Sequence, residues 1–316
     1  MEVAFGHWSA SWPALIAYVL AAGWHLAGLR RLLAANSTGT SAAGTPAGHG
    51  LRREAALCQL GLLLVLLALV SPVGYFASLY IWVRALQMLL VGVVGPGLIV
   101  LGAPWTALRL AVAKPSAVRA SAARASAAPA AAAADLTVAR ASQDRQPWLM
   151  SRPALAVVAA NVLWIGWQIP VLFDAARANN AVALAEHVSY LVAGLLFWLQ
   201  MISSRPYSQR VTPLRRVALL VGTVAAFTVL GMVLVFGSNK FYFGFPASAH
   251  HVMSVLSDQQ LAGAVLWMGV LPPMMVVAVA LMMEWLRNEE SAELSAGLDR
   301  LLAPRRNGWP SRPVIR

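Results

Sequence analysis

Residues 217–236 read VALLVGTVAAFTVLGMVLVF, an apolar run whose polar side chains are confined to Thr223 and Thr228. A helix needs about 20 mostly apolar residues to cross about 30 Å of hydrocarbon, and the stretch near 214–236 that contains this run has that length. Arg215 and Arg216 stand directly before it, so positive charge marks one end. Outward from it, six more stretches qualify, near 10–30, 56–76, 80–101, 154–173, 182–202 and 260–283. The second contains a dense Leu and Val run from Leu57 to Val70. The fourth is interrupted by Gln168 and Pro170, and the fifth opens with Glu186 and His187. The expected fold is an all-α integral membrane protein with seven transmembrane helices.

Composition agrees. The 316 residues are 59% hydrophobic and 11% charged, against roughly a quarter charged in soluble domains. A net charge of +12 would point to nucleic acid in a soluble chain. Here topology accounts for it, and a nucleic-acid partner is not expected. All Lys and Arg except Arg84, Arg177 and Lys240 fall beside residues 31–55, 102–152 and 203–213 or after 284, with four, seven, four and six in turn. Basic residues mark the cytoplasmic side of a membrane protein. The N-terminus is therefore expected in the periplasm and the C-terminus in the cytoplasm, as in a multi-pass protein of the bacterial inner membrane. The basic pair Arg30 and Arg31 follows the first apolar run rather than preceding it, so that run reads as an uncleaved helix. The lone cysteine, Cys58, reads as a small buried hydrophobe.

Residues 1–286 form the expected seven-helix domain, with an Ala-rich cytoplasmic loop at 105–152, and 287–316 form a cytoplasmic tail. Residues 34–50 and 113–147 have biased composition without amphipathic period and read as linkers. The tail is expected to continue the seventh helix and to fray by Pro304. The outer loop 237–258, with Phe241, Tyr242, Phe243 and Phe245, suits an interfacial girdle or a flap lying on the bundle. Gly95, Pro96 and Gly97 interrupt the third stretch, and Pro272 and Pro273 the seventh; such breaks are tolerated inside bundles. Gly92, Gly95, Gly97 and Gly102 mark close packing rather than a pore.

Ionisable and amide groups within spans are costly and usually face the bundle. This topology gathers several near the outer surface. Arg84, Gln87 and Met88 share one face by their i, i+3 and i+4 spacing. Glu186 and His187 open the fifth span, Trp167 and Gln168 close the fourth, and Asp258 and Gln259 begin the seventh. His250, His251 and Met253 precede that start. Two readings stay open. In one, Arg84 pairs with Glu186 or Asp258 and the glutamines tie helices together. In the other, His187, Glu186, Met88, His250, His251 and Asp258 supply a metal site, with donors suited to copper, or to zinc or iron. His250 and His251 are adjacent, so regular backbone points them apart. His25 lies near the cytoplasmic end and reads as a polar contact. Zinc-protease, phosphate-loop and haem-attachment motifs are missing, and no internal duplication suggests a transporter built on repeats.

These residues carry a family resemblance over about 72–285. Arg84-Ala-Leu-Gln-Met88 runs on to Pro96 and Leu101-Gly-Ala-Pro104. Trp167-Gln-Ile-Pro170 leads to Phe173-Asp174-Ala175, Ala185-Glu186-His187 and Gly194 to Trp198. Asp258-Gln-Gln-Leu-Ala-Gly263 is followed by Trp267. The chain resembles the CtaG family of cytochrome c oxidase assembly factors, seven-helix proteins of the bacterial inner membrane. The resemblance implies a non-catalytic assembly or maturation role, oxidase subunits and the lipid bilayer as partners, and copper at the periplasmic face. It also implies histidines where this chain has Arg84, Met88, Gln168 and Ala183. The expected function is oxidase assembly. The alternatives are a solute or metal transporter or channel, or a structural membrane protein whose polar cluster only ties helices together.

Overall fold

The computed structural model describes residues 12–37, 46–105, 107–108, 152–202, 211–243, 245 and 253–302. In chain order its helices are α1 (Trp12–Ser37), α2 (Pro46–Val70), α3 (Pro72–Ala77), α4 (Ile81–Leu89), α5 (Gly95–Leu101), α6 (Pro153–Gly166), α7 (Pro170–Ala178), α8 (Asn180–Met201), α9 (Pro213–Phe236) and α10 (Val255–Leu302). No strand occurs among the described residues. Six segments are long and apolar enough to cross a bilayer, and up to seven if α6 and α7 count together. Large apolar side chains such as Val162, Val229 and Val276 are exposed on the outside of the bundle, as contact with lipid requires. The protein is therefore an all-α, multi-pass membrane protein with an inner-membrane location.

Local sequence sets the boundaries. Pro213 and Pro153 occupy first helical positions, where a missing N–H costs nothing. The Asn179 side chain caps α8 by accepting from the Ala181 and Val182 amides. The fourth stretch is not straight: α6 and α7 meet at 68° across Trp167, Gln168 and Ile169, where Pro170 starts a new helix. The first linker is shorter than expected, because α1 reaches Ser37 and α2 starts at Pro46. Most of the expected loop at 105–152, including all of 113–147, lies outside the described residues, as does the tail after 302.

The two proline-bearing stretches behave differently from a simple break. Between α4 and α5, Leu90–Val94 form a π-helical turn, so the chain stays helical from Ile81 to Leu101. Pro96 has no N–H to return to Gly92, and the Gly92 carbonyl instead lies where a Cβ on Gly194 would collide. The Val93 carbonyl accepts from Trp198 Nε1 at 2.7 Å. The wide turn thus presents backbone carbonyls to α8. In α10, helix continues through Pro272 and Pro273 for 48 residues, about 70 Å at 1.5 Å per residue, so it extends well past one bilayer.

Glycines mark the closest crossings. A Cβ on Gly61 would come within 2.7 Å of the Gly95 carbonyl oxygen, and one on Gly231 within 2.7 Å of Trp267 Cβ. These fix α2 against α5 and α9 against α10, because dispersion between close backbones drives helix association in lipid. At the centre Trp164, Phe197 and Phe227 are fully buried, with centroid separations of 5.3 and 5.7 Å from Trp164. Cys58 is buried, as expected of a small hydrophobe.

Candidate functional site

One end of the bundle brings together the first turns of α4, α8 and α10 and the α6–α7 bend. Arg84 Nη2 lies 2.5 Å from Glu186 Oε2, and its guanidinium sits 4.6 Å above the centre of the Phe173 ring. The other Glu186 oxygen accepts from the Tyr190 hydroxyl at 3.2 Å. Tyr190 lies one turn beyond Glu186 on α8, so the i, i+4 spacing delivers the second donor. Gln168 Nε2 donates to the same hydroxyl at 3.3 Å. Trp167 Nε1 donates to Ser189 Oγ at 2.6 Å, and Ser189 in turn donates to the Glu186 carbonyl. Both tryptophan–glutamine neighbours at the bend therefore anchor it to α8.

Asp258 does something else. Its two carboxylate oxygens accept from the Ile81 and Trp82 backbone amides at 2.9 and 3.0 Å. Those amides begin α4, where helical N–H groups have no partner within the helix. Tyr80 provides no side-chain cap, so α10 caps α4 from outside, and the negative charge also suits the positive end of the helix dipole. Asp258 is completely buried. Beside it Gln259 accepts from the Phe241 amide at 2.8 Å and donates to the Asn239 carbonyl at 3.1 Å. The chain after α9 is thereby sewn to α10.

That loop lies on the bundle. Tyr242 is buried, donates to the Gln168 carbonyl at 2.9 Å, and packs on Phe173 with centroids 4.3 Å apart. Burial, and then the nearby Asp174 carboxylate, hold the Tyr242 phenol above its ordinary pKa. Phe245 is also buried and lies under Arg177, whereas Phe243 is exposed. Phe241, Tyr242 and Phe245 realise the flap, and Phe243 faces outward.

The candidate metal donors part company in this arrangement. Glu186 is engaged by Arg84 and Tyr190, and Asp258 by two amides. Met88 is 2% exposed within the apolar core. The His187 Nε2 lies 3.4 Å from Gln87 Oε1, and Gln87 donates to the Ala68 carbonyl at 2.8 Å. His250 and His251 lie outside the described residues. Among the described residues no group of three or more His, Cys, Asp or Glu side chains is placed to hold a metal ion. Copper, the metal implied by the resemblance, meets no assembled set of three such donors among the described residues.

A second ion pair stands at the opposite end. Arg216 is buried, with Nη2 2.6 Å from Glu284 Oε1 and Nη1 donating to the Met201 carbonyl at 3.1 Å. By sequence Arg216 is one more basic residue at a helix end, indistinguishable from its neighbour Arg215. His25 Nδ1 lies 2.9 Å from Gln59 Nε2, the polar contact expected of it.

These features define a polytopic helical membrane protein whose polar residues lock helices to one another at one end. The family model for the cytochrome c oxidase caa3 assembly factor (Caa3_CtaG) matches residues 23–288. That covers well over half of the chain, and the chain belongs to this family. Membership places it among non-catalytic assembly factors rather than enzymes. No curated protein and no solved structure matches it.

Proposed function

We propose that this protein supports assembly or maturation of a membrane cytochrome c oxidase, contacting oxidase subunits through the end built on Arg84, Glu186 and Asp258. The family match over residues 23–288 carries the proposal. Seven spans are proposed, with α6 and α7 sharing the fourth, the N-terminus periplasmic and the C-terminus cytoplasmic. The clustering of basic residues supports this orientation, and it places the Arg84 end in the periplasmic half. Residues 1–286 are proposed as the membrane domain and 287–316 as a cytoplasmic tail. The extension of α10 to Leu302 supports a helical start to that tail.

The polar end acts in this proposal as a rigid platform rather than a metal centre. Buried charges that are paired and hydrogen-bonded fix the relation between helices, and losing one partner strands the other. A strain lacking the gene should lose assembled oxidase, seen as haem a absorbance in its membranes, and the wild-type gene should restore it. Unchanged oxidase content in that strain would end the proposal.

A second reading keeps copper at this end, on His187 and Met88 with Glu186, Asp258, His250 and His251. It is favoured by the His187 imidazole, which is held by a long 3.4 Å contact and is free of the ion pair. Metal analysis of purified protein separates the two. Stoichiometric copper in wild type that is lost in His187→Ala would establish the second reading; equal retention by both would dismiss His187 as a ligand.

A further inference from the structure

Beside the ion-pair network lies a space that the network does not use. A cavity of about 280 Å³ lies between α1, α2 and α8. Its wall is formed by apolar side chains such as Ala17, Leu66 and Leu191, together with two polar ones, Tyr18 and His187. Leu184 and Val188 line it and are also about half exposed on the outside of the bundle. A molecule dissolved in the bilayer can therefore reach it sideways.

We propose that this cavity binds a membrane-borne quinone, its ring between Tyr18 and His187 and its isoprenoid chain leading out past α8 into lipid. Three observations support the assignment. The volume is about twice that of a cavity of about 150 Å³ that takes up benzene, which leaves room for a substituted ring and the start of a chain. The wall offers one phenol and one imidazole, each able to donate or accept a hydrogen bond. A quinone presents two carbonyl oxygens at opposite edges of a flat ring, and its quinol two hydroxyls, so either form can answer both groups.

The third observation concerns Tyr18. Its side chain is half-buried and its hydroxyl makes no hydrogen bond to another described residue, which leaves it open to a ligand in the cavity. A lipid acyl chain in the cavity would leave that hydroxyl and the imidazole against methylene groups. A quinone ring would satisfy them. The space itself comes from α1, which presents Ala14, Ala17 and Ala21 to it. His187 also touches Gln87, which is bonded to α2, so the ring would sit one residue from the ion-pair network.

The test uses full-length protein purified free of quinone and titrated with decylubiquinone, followed by quenching of its tryptophan fluorescence. Wild type should saturate at one site per chain. Ala17→Phe, which fills the cavity, should abolish saturable binding. Tyr18→Phe removes one oxygen and His187→Leu the imidazole, and each should weaken binding by about five- to tenfold. Because Tyr18→Phe keeps the ring, its effect remains readable even if the bulkier variants fold poorly. Unsaturable partition in wild type, unchanged affinity in Tyr18→Phe, or equal competition by decanoic acid would overturn the proposal, the last result making an acyl chain the occupant. The readout is independent of oxidase assembly.

Discussion

Arg84–Glu186 and Arg216–Glu284 are pairs of the same chemistry at almost the same separation, 2.5 and 2.6 Å, set at opposite ends of the bundle. Asp258, beside the first, and Glu284, in the second, lie about 39 Å apart along α10. The surroundings differ. Glu186 is 2% exposed and carries a second donor from Tyr190, while Glu284 is 40% exposed. A sealed pair has no water to fall back on, so each charge depends on the other. In the second pair Glu284 can turn to solvent, while the buried Arg216 keeps its bond to the Met201 carbonyl. The Arg84–Glu186 end is therefore the more sensitive to loss of either partner.

Substitutions can sharpen or break this contrast. The largest loss is expected for Arg84→Leu, which strands the Glu186 carboxylate and should cost about 3–5 kcal/mol, measured by denaturant unfolding in detergent. Next comes Asp258→Ala, which leaves two buried amides of α4 without an acceptor. The loss of an external cap and of two buried bonds should cost about 2–3 kcal/mol in the same measurement. Glu284→Gln keeps a carbonyl oxygen for the buried Arg216 and places the change at a half-exposed carboxylate, so it should cost less, about 1–2 kcal/mol. A loss as large as that of Arg84→Leu would erase the distinction between the ends.

The smallest effect has the opposite sign. Ala103, just beyond α5, adopts φ 40°, in the left-handed region. A side chain there costs about 1–2 kcal/mol relative to the right-handed region, and glycine relieves it while adding freedom to the unfolded chain. Ala103→Gly should therefore stabilise by about 0.5–1 kcal/mol, seen as a raised unfolding midpoint.

The spans were legible because hydrophobic length is a local property of sequence. Residues 213–236 and 180–201 fall within two residues of the runs that predict them. The break at Pro170 was legible for the same reason. Proline alone did not reveal that Pro96 would follow a π-helical turn while Pro272 and Pro273 would sit in continuous helix. That depends on neighbours such as Trp198, which takes up a released carbonyl. Within the site, the spacing of Arg84 and Gln87 and the neighbourhood of Glu186 pointed to one cluster. The expectation that Arg84 pairs with Glu186 or Asp258 is resolved in favour of Glu186.

Asp258 was not legible in its actual role. Its bonds go to backbone amides, and amides carry no residue identity for a sequence to display. Tyr190 was within reach, four residues past Glu186 on one helical face. Arg216 was hidden by its own context, since a basic residue at a helix end looks the same in sequence whether it faces water or Glu284.

The most direct test of the sealed tie is a double-mutant cycle of Arg84→Leu and Glu186→Leu, each variant unfolded in detergent. Removing both charges should recover much of what either single change loses, because neither is then stranded. A coupling of at least about 2 kcal/mol is predicted. Strictly additive losses would contradict the account, since they would mean that α4 and α8 are not held together through these two side chains.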